Sequence, residues 1–184
     1  MNLRNSEDRY GAVAQLLHWG MLILFIALYL IAESMEEMPR GPDKFELIGL
    51  HKSLGVIALL LVLARVGWRF ASPPPATAAD LNPMQQKVAG ALHILLYICM
   101  FAMPITGYVM SMAGGHPIEV FGLFSLPDLV GENHDLKEFA EDSHKAIWVI
   151  IMVLVGLHAA AALFHHFVAK DSILRRMLPG GASA

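Results

Sequence analysis

"AIWVIIMVLVGLHAAAALFHHFVA" occupies residues 146–169. It carries no charged residue, yet it holds three histidines, His158, His165 and His166. As a helix rising 1.5 Å per residue it is about 36 Å long, enough to cross a hydrocarbon core of roughly 30 Å. The stretch therefore reads as a transmembrane helix. It raises the question of what imidazoles do in so apolar a segment.

Three segments upstream pass the same test of length and apolarity, at 13–32, 47–68 and 88–112. The 184-residue chain is 56% hydrophobic and 16% charged, with a mean hydropathy of +0.54. A soluble domain normally carries about 25% charged residues, so the solvent implied for most of this chain is lipid. The fold class expected is all-α: an integral membrane four-helix bundle, up-down-up-down, in a single domain over 1–184. The first segment reads as a span rather than a cleaved leader. Glu7 and Asp8 spoil a basic n-region, and "IAESM" at 31–35 is a poor small-residue cleavage site.

Four spans put both termini on one side. With that side cytoplasmic, Arg4, Arg9, Arg65, Arg69, Lys87, Lys170, Arg175 and Arg176 are inside, and Arg40, Lys44, Lys52, Lys137 and Lys145 outside. This agrees with the positive-inside rule and predicts cytoplasmic termini. Acidic residues sharpen the asymmetry, since all but Glu7, Asp8, Asp80 and Asp171 fall in the outer loops or the helix ends beside them. The single cysteine, Cys99, excludes an internal disulfide, and the absence of C-x-x-C-H excludes covalently attached haem. A net charge of −3, without a basic face, argues against nucleic acid as a partner.

Between the spans, "ASPPPATAADLNP" at 71–83 predicts a stiff, extended linker. Asn82 or Asp80 is placed to cap the third helix, with Pro83 at its first position. Pro104 and Gly107 predict a kink in that helix. The connection at 113–143 is the one long loop, and "HDLKEFAEDSHK" at 134–145 predicts a short helix running into the fourth span. His116 and His134 read as solvated loop residues. The tail "PGGASA" reads as frayed.

The other seven histidines lie in or at the ends of spans, where an ionisable side chain marks function unless it merely bonds two helices together. His144, His158 and His165 are separated by 14 and 7 residues, so a seven-residue repeat keeps all three on one seam of a left-handed bundle. Matching depths gives two pairs on facing helices: His51 with His144 at the outer level, His18 with His158 at the inner level. Two imidazoles, a planar group between them and no thioether describe bis-histidine haem b. Zinc asks for three or four ligands and fits less well. The eleven methionines are scattered, which argues for packing rather than copper.

Four stretches carry a resemblance: "LLHWGMLILF" (16–25), "IGLHKSLG" (48–55), "LHILLYICMFAMPITGYVM" (92–110) and "SHKAIWVIIMVLVGLHAAAALFHHFVAKDSILRRMLP" (143–179). Over residues 8–179 the chain resembles the bacterial cytochrome b561 family, related to the cytochrome b subunits of nickel–iron hydrogenases. That resemblance implies two non-covalent b haems with ligands on spans one, two and four, which maps onto His18, His51, His144 and His158. It implies a membrane quinone such as ubiquinone as electron partner, and a superoxide:ubiquinone oxidoreductase activity for some members. The six-span ascorbate-reducing b561 proteins are a different family.

A quinone carbonyl needs hydrogen-bond donors and its reduction needs protons, which histidine supplies near neutral pH. The candidates are His165, His166 and His93. Lys52 and Lys145 each follow an outer candidate ligand and are placed to pair haem propionates or attract an anion such as superoxide. The acidic outer loops oppose the arrival of an anion. The expected function is thus electron transfer from an outer donor, a small molecule or a protein, to membrane quinone. Two rivals stay open. One is an anchor subunit linking quinone to a peripheral dehydrogenase or hydrogenase, and the other a non-redox, metal-binding membrane protein.

Overall fold

The computed structural model describes residues 2–76 and 81–180. Four long helices, α1 (Ala12–Glu37), α2 (Pro42–Ala71), α3 (Pro83–Ala113) and α4 (His134–Phe164), account for most of it. All four are long and apolar enough to cross a membrane. In hydrocarbon every backbone N–H and C=O must be paired within the segment, and the helix is the local solution. A five-residue π-helical turn, His165–Ala169, finishes α4.

Each helix overruns the apolar segment from which it was expected. Apolarity decides what enters lipid, but a helix stops only where the chain supplies a cap or a breaker. Pro42 opens α2 at its first turn. Asn82 and Gln85 form a reciprocal capping box at α3, with Pro83 at the first turn. Asp80, the other cap candidate, lies outside the described residues. Asn133 caps α4 by accepting from the Leu136 amide at 3.0 Å. The helix expected within 134–145 is therefore the first part of α4, and His134 is a helical residue rather than a loop residue.

The helices pack in sequence order. Cα atoms come within 8 Å between α1 and α2, α2 and α3, and α3 and α4. Among the described residues neither α1 nor α2 comes that close to α4. Across that wider seam only side chains meet: Tyr29 stacks on Trp148 with ring centres 5.0 Å apart. Few side chains are enclosed, chiefly Met21, Ala58, Val62, Cys99 and Ile151, while Leu16, Ile23, Leu30, Ile94, Val153 and Leu157 face outward. This is the pattern of a bundle whose outer surface is solvated by lipid.

The two ends are finished differently. At one end the α3–α4 connection folds into a small cap around a hairpin of β1 (Glu119–Val120) and β2 (Phe124–Ser125), paired antiparallel. Met112, Ile118 and Val120 form its apolar centre, with Val56, Tyr108, Leu126 and Val130 packed on it. Ser53 of α2 pins the hairpin: its hydroxyl accepts from the Phe121 amide at 3.0 Å and lies 3.2 Å from the Glu119 carbonyl. The Asp128 carboxylate accepts from the Gly131 and Val130 amides, both at 2.9 Å. Those bonds hold its carboxyl below the usual carboxylate range. The sequence pattern showed only a long loop here.

At the other end the N-terminal segment, the start of the α2–α3 linker and the C-terminal tail are tied together. The Asn5 amide donates to the Ser72 and Pro73 carbonyls at 2.7 and 3.0 Å. Arg9 donates to the Leu178 carbonyl and Arg176 to the Asp8 carbonyl, both at 2.6 Å. Trp19 donates from α1 to the Met177 carbonyl at 2.9 Å. The "LRRMLP" tail is therefore a clasp across the ends of α1 and α4.

Candidate functional site

The histidines separate into two levels. At the clasped end His18 of α1 faces His158 of α4 across the wider seam, with ring centres 6.2 Å apart and ring planes at 60°. Two imidazoles on opposite sides of one metal, with bonds of about 2 Å, have ring centres about 6 Å apart. His93 of α3 lies edge-on to His158, with centres 5.3 Å apart. It is thus part of the same cluster.

Arg65 of α2 reaches this cluster. Its Nη2 donates to His18 Nδ1 at 2.8 Å, and its Nε donates to the Tyr97 hydroxyl at 3.2 Å. Arginine has no acceptor, so His18 Nδ1 holds the lone pair and Nε2 the proton. A neutral imidazole binding a metal through Nε2 would instead carry its proton on Nδ1, the nitrogen that faces Arg65. The sequence placed Arg65 among the cytoplasmic charges of the positive-inside pattern. In the fold it lies six residues before the end of α2 and bonds inward, to residues of α1 and α3.

At the hairpin end His144 of α4 is seated on α3. Its Nδ1 lies 3.0 Å from the Met103 carbonyl and 3.1 Å from the Thr106 hydroxyl. A carbonyl only accepts, so Nδ1 carries the proton and Nε2 is the free lone pair. This is how a metal-ligating histidine is usually oriented. A Cβ on Gly107 would stand 3.2 Å from His144 Cε1, so glycine there lets the ring lie close to the helix. The "MPITG" run, read from sequence as a kink, is the seat of this imidazole.

His51 of α2 lies at the same end. Its Nδ1 is buried and, among the described residues, has no hydrogen-bond partner. Among the described residues no ring contact joins His51 to His144, unlike the inner pair. Lys52 donates weakly to the His116 carbonyl at 3.5 Å. Lys145 pairs with Glu141 at 2.8 Å, and Lys137 pairs with the other oxygen of that carboxylate at 2.6 Å. Of the two lysines following the outer histidines, Lys145 is thus engaged by a carboxylate.

His165 and His166 share the π-helical turn but not an environment. His165 Nδ1 donates to Asp171 Oδ2 at 2.5 Å. With Gln85, Phe164, Ala169, Lys170 and Asp171 it lines a groove of about 370 Å³ between the start of α3 and the end of α4. His166 does not line that groove, and its Nδ1 is buried with no partner among the described residues. The three histidines proposed from sequence for a quinone thus occupy three separate surroundings. Two buried donors, Trp68 Nε1 and His166 Nδ1, stand unpaired toward the clasped end.

Taken together, the arrangement offers donors in pairs. Among the described residues, no three His, Cys, Asp or Glu side chains group as a site for a free metal ion. Comparison with known proteins gives the same family as the motifs. A model of the family described as prokaryotic cytochrome b561 matches residues 9–180. The chain is 33% identical to cytochrome b561 homolog 2 of Escherichia coli, covering 100% of this chain and 98% of that protein. It is 30% identical to the probable superoxide oxidase CybB of Yersinia pestis, over 94% of this chain and 97% of the relative. It is 29% identical to cytochrome b562 of Cereibacter sphaeroides, again over 94% and 97%.

Proposed function

The chain belongs to the prokaryotic cytochrome b561 family, whose members are membrane haem proteins, and we propose that it carries electrons across the bilayer from an outer donor to quinone. We read all 184 residues as one domain holding two non-covalent b haems. His18 and His158 hold the inner haem; His51 and His144 hold the outer one. The carrying observation is the pair of imidazoles facing across the α1–α4 seam at 6.2 Å, where neither α1 nor α2 closes on α4. A planar group fits between such walls, and the unpaired Trp68 Nε1 toward the same end is a donor for its polar edge.

When bound, haem b supplies one-electron storage at each level. The protein ligates, spaces and tunes. Met103 and Thr106 fix the His144 ring so that Nε2 faces away from its hydrogen bond. Arg65 places a fixed positive charge beside His18. The hairpin cap is fixed to α2 through Ser53, two residues beyond His51, and the clasp holds α1 against the C-terminal tail.

By the lysine and arginine distribution the clasped end is cytoplasmic, and membership of a prokaryotic membrane family supports the bacterial inner membrane. Quinone, with ubiquinone as the substrate of choice, takes electrons at that end, near the groove that His165 lines. The similarity to a probable superoxide oxidase supports superoxide as donor. The balanced reaction is two superoxide plus quinone plus two protons to two dioxygen plus quinol. Lys52 is the cation best placed to receive an anion, since Lys145 is held by Glu141.

Acidic outer loops slow an anionic donor, and that observation favours a second reading. In it the chain anchors a peripheral dehydrogenase or hydrogenase and receives electrons from its partner. One experiment separates these. Haem extracted from the purified protein should amount to two per chain, and superoxide should drive reduction of a ubiquinone analogue. One haem or none would reject the di-haem reading. Two haems without superoxide-dependent reduction would move the donor to a partner protein.

A further inference from the structure

The hairpin between α3 and α4 ends in an apolar tip. Residues 120–127, "VFGLFSLP", carry no charge and are flanked by Glu119 and Asp128. Phe121, Leu123 and Phe124 are 49%, 80% and 57% exposed. The turn is an unusual one for a hairpin facing water. Phe121 and Gly122 both adopt left-handed conformations, φ 51° and 68°, and the Leu123 amide donates to the Val120 carbonyl at 2.9 Å. Such a turn ordinarily takes Asn or Asp before Gly, because a short polar side chain tolerates positive φ. Here an aromatic ring stands in that place, which suits a turn facing lipid.

The hairpin is seated on the outside of the bundle. Ser53 of α2 holds it, and Val56 of α2 packs on its apolar centre. At about 100° per residue, Ser53 and Val56 lie roughly 200° and 140° round α2 from His51, on the opposite face. Leu60 continues that face at roughly 180° and is exposed. The same arrangement recurs on α3. Met112 belongs to the apolar centre of the hairpin, while Ile105 and Ile98, one and two seven-residue steps before it on nearly the same face, are exposed. The hairpin thus covers one end of two apolar stripes whose remaining length is bare to lipid.

Depth follows from two constraints. Ser53 opens a charge-free run of α2, residues 53–64, so the tip is level with the edge of the hydrocarbon rather than out in water. A two-stranded sheet has open edges, and their unpaired backbone groups keep it out of the hydrocarbon centre. Tyr108 marks the same level. Its hydroxyl donates to the Pro127 carbonyl at 2.7 Å and accepts from the Leu129 amide at 3.1 Å. Tyrosine is favoured where the apolar and aqueous layers meet.

We propose that the hairpin tip is a lipid-seated anchor, with Phe121, Leu123 and Phe124 lying at the acyl–headgroup boundary of the leaflet at this end. The occupant of the face is the protein's own bilayer, which already covers the stripes of α2 and α3 below it. Glu119 and Asp128 hold the two ends of the tip in the headgroup layer. Ser53 is two residues beyond His51, so the anchor also steadies the stretch of α2 that carries that histidine. It requires neither haem nor a particular orientation of the chain.

The test uses the full-length protein in vesicles of phosphatidylethanolamine and phosphatidylglycerol. Cys99 is buried, and Cys99→Ala removes it as a competing thiol. In that background Leu123→Cys puts a thiol at the tip. Asp135→Cys, at a fully exposed position of the same end, gives the water reference. A charged, water-borne thiol reagent should modify Leu123→Cys about tenfold more slowly than Asp135→Cys, since transfer of one Leu-sized side chain from water is worth about that factor or more. Phe121→Asn supplies the residue that a water-facing turn prefers, so the turn is kept while the ring is lost. Added to Leu123→Cys, it should raise the modification rate severalfold. Finally, Leu123→Cys is coupled to a benzophenone maleimide in detergent, reconstituted and irradiated. The protein should gain the mass of a phospholipid. Equal rates at the two positions would overturn the anchor, as would a rate unmoved by Phe121→Asn. A cross-link to a second copy would assign the face to self-association instead, and no adduct at all would leave the tip in water.

Discussion

The two ends of the bundle treat their histidines in opposite ways. At the hairpin end His144 donates through Nδ1 to a neutral carbonyl, with a hydroxyl beside it. At the clasped end His18 accepts through Nδ1 from the guanidinium of Arg65. The first arrangement makes an imidazole a better electron donor to a metal. The second leaves the ring's proton on Nε2 and sets a positive charge beside it in a low-dielectric place. The surroundings follow the same division, with an acidic end around Glu141 and Asp128 and a clasp rich in arginine. On the proposed reading, the positive charge of Arg65 beside His18 would favour an electron at the clasped level and so give the path a direction, from the hairpin end toward the quinone end.

The largest expected effect breaks the comparison into its halves. Replacing His158 with Ala should remove one spectral haem component, and replacing His144 with Ala should remove the other. Each variant should fall from two extractable haems to one. If both substitutions erase the same component, the two levels are not independent and the pairing is wrong.

Next in size is the charge that distinguishes the levels. Arg65→Leu should lower the midpoint potential of the inner haem and leave the outer one in place. A guanidinium at this range is worth roughly 1–2 kcal/mol at an effective dielectric of about 20. A redox titration followed optically reads both centres at once. An unmoved inner potential would mean that the direction of transfer is set elsewhere.

The smallest effect concerns the cap at the hairpin end. Asp128 is held ionised by the Gly131 and Val130 amides. Its folded pKa is lowered, so its contribution is present above the ordinary carboxylate range and is lost as pH falls through the lowered value. Hydrogen exchange at Val130 and Gly131 should quicken in acid and, at neutral pH, in Asp128→Ala. At the clasped end the Trp19 indole N–H bonds a neutral carbonyl, that of Met177, and should show no matching change. Equal loosening at both ends would remove the distinction.

Much of this was legible before any coordinates. Four apolar runs of sufficient length fix four helices, because lipid leaves the backbone no other way to pair its polar groups. Asn82, Gln85 and Pro83 announce the start of α3 by local chemistry. The spacing of His144, His158 and His165 along one chain is a property of helical repeat alone. The KD…LRRMLP tail marked the family, and its sequence told nothing of what it holds.

What tertiary structure decided was each encounter between side chains far apart in the chain. His93 belongs beside His158 and not in the groove with His165, because helix rotation places it there. Arg65 turns inward to His18, 47 residues away, which no local pattern specifies. Pro104 and Gly107 read as a kink from sequence, and only the packing shows that Thr106 and Gly107 also seat His144. The hairpin at 119–125 is too short to show a strand period and exists because Ser53 and an apolar cluster hold it. Periodicity and capping act within a few residues, so the sequence states them outright. The meeting of an arginine, an aspartate or a glycine with a histidine depends on how whole helices are turned and spaced, which only the packed bundle sets.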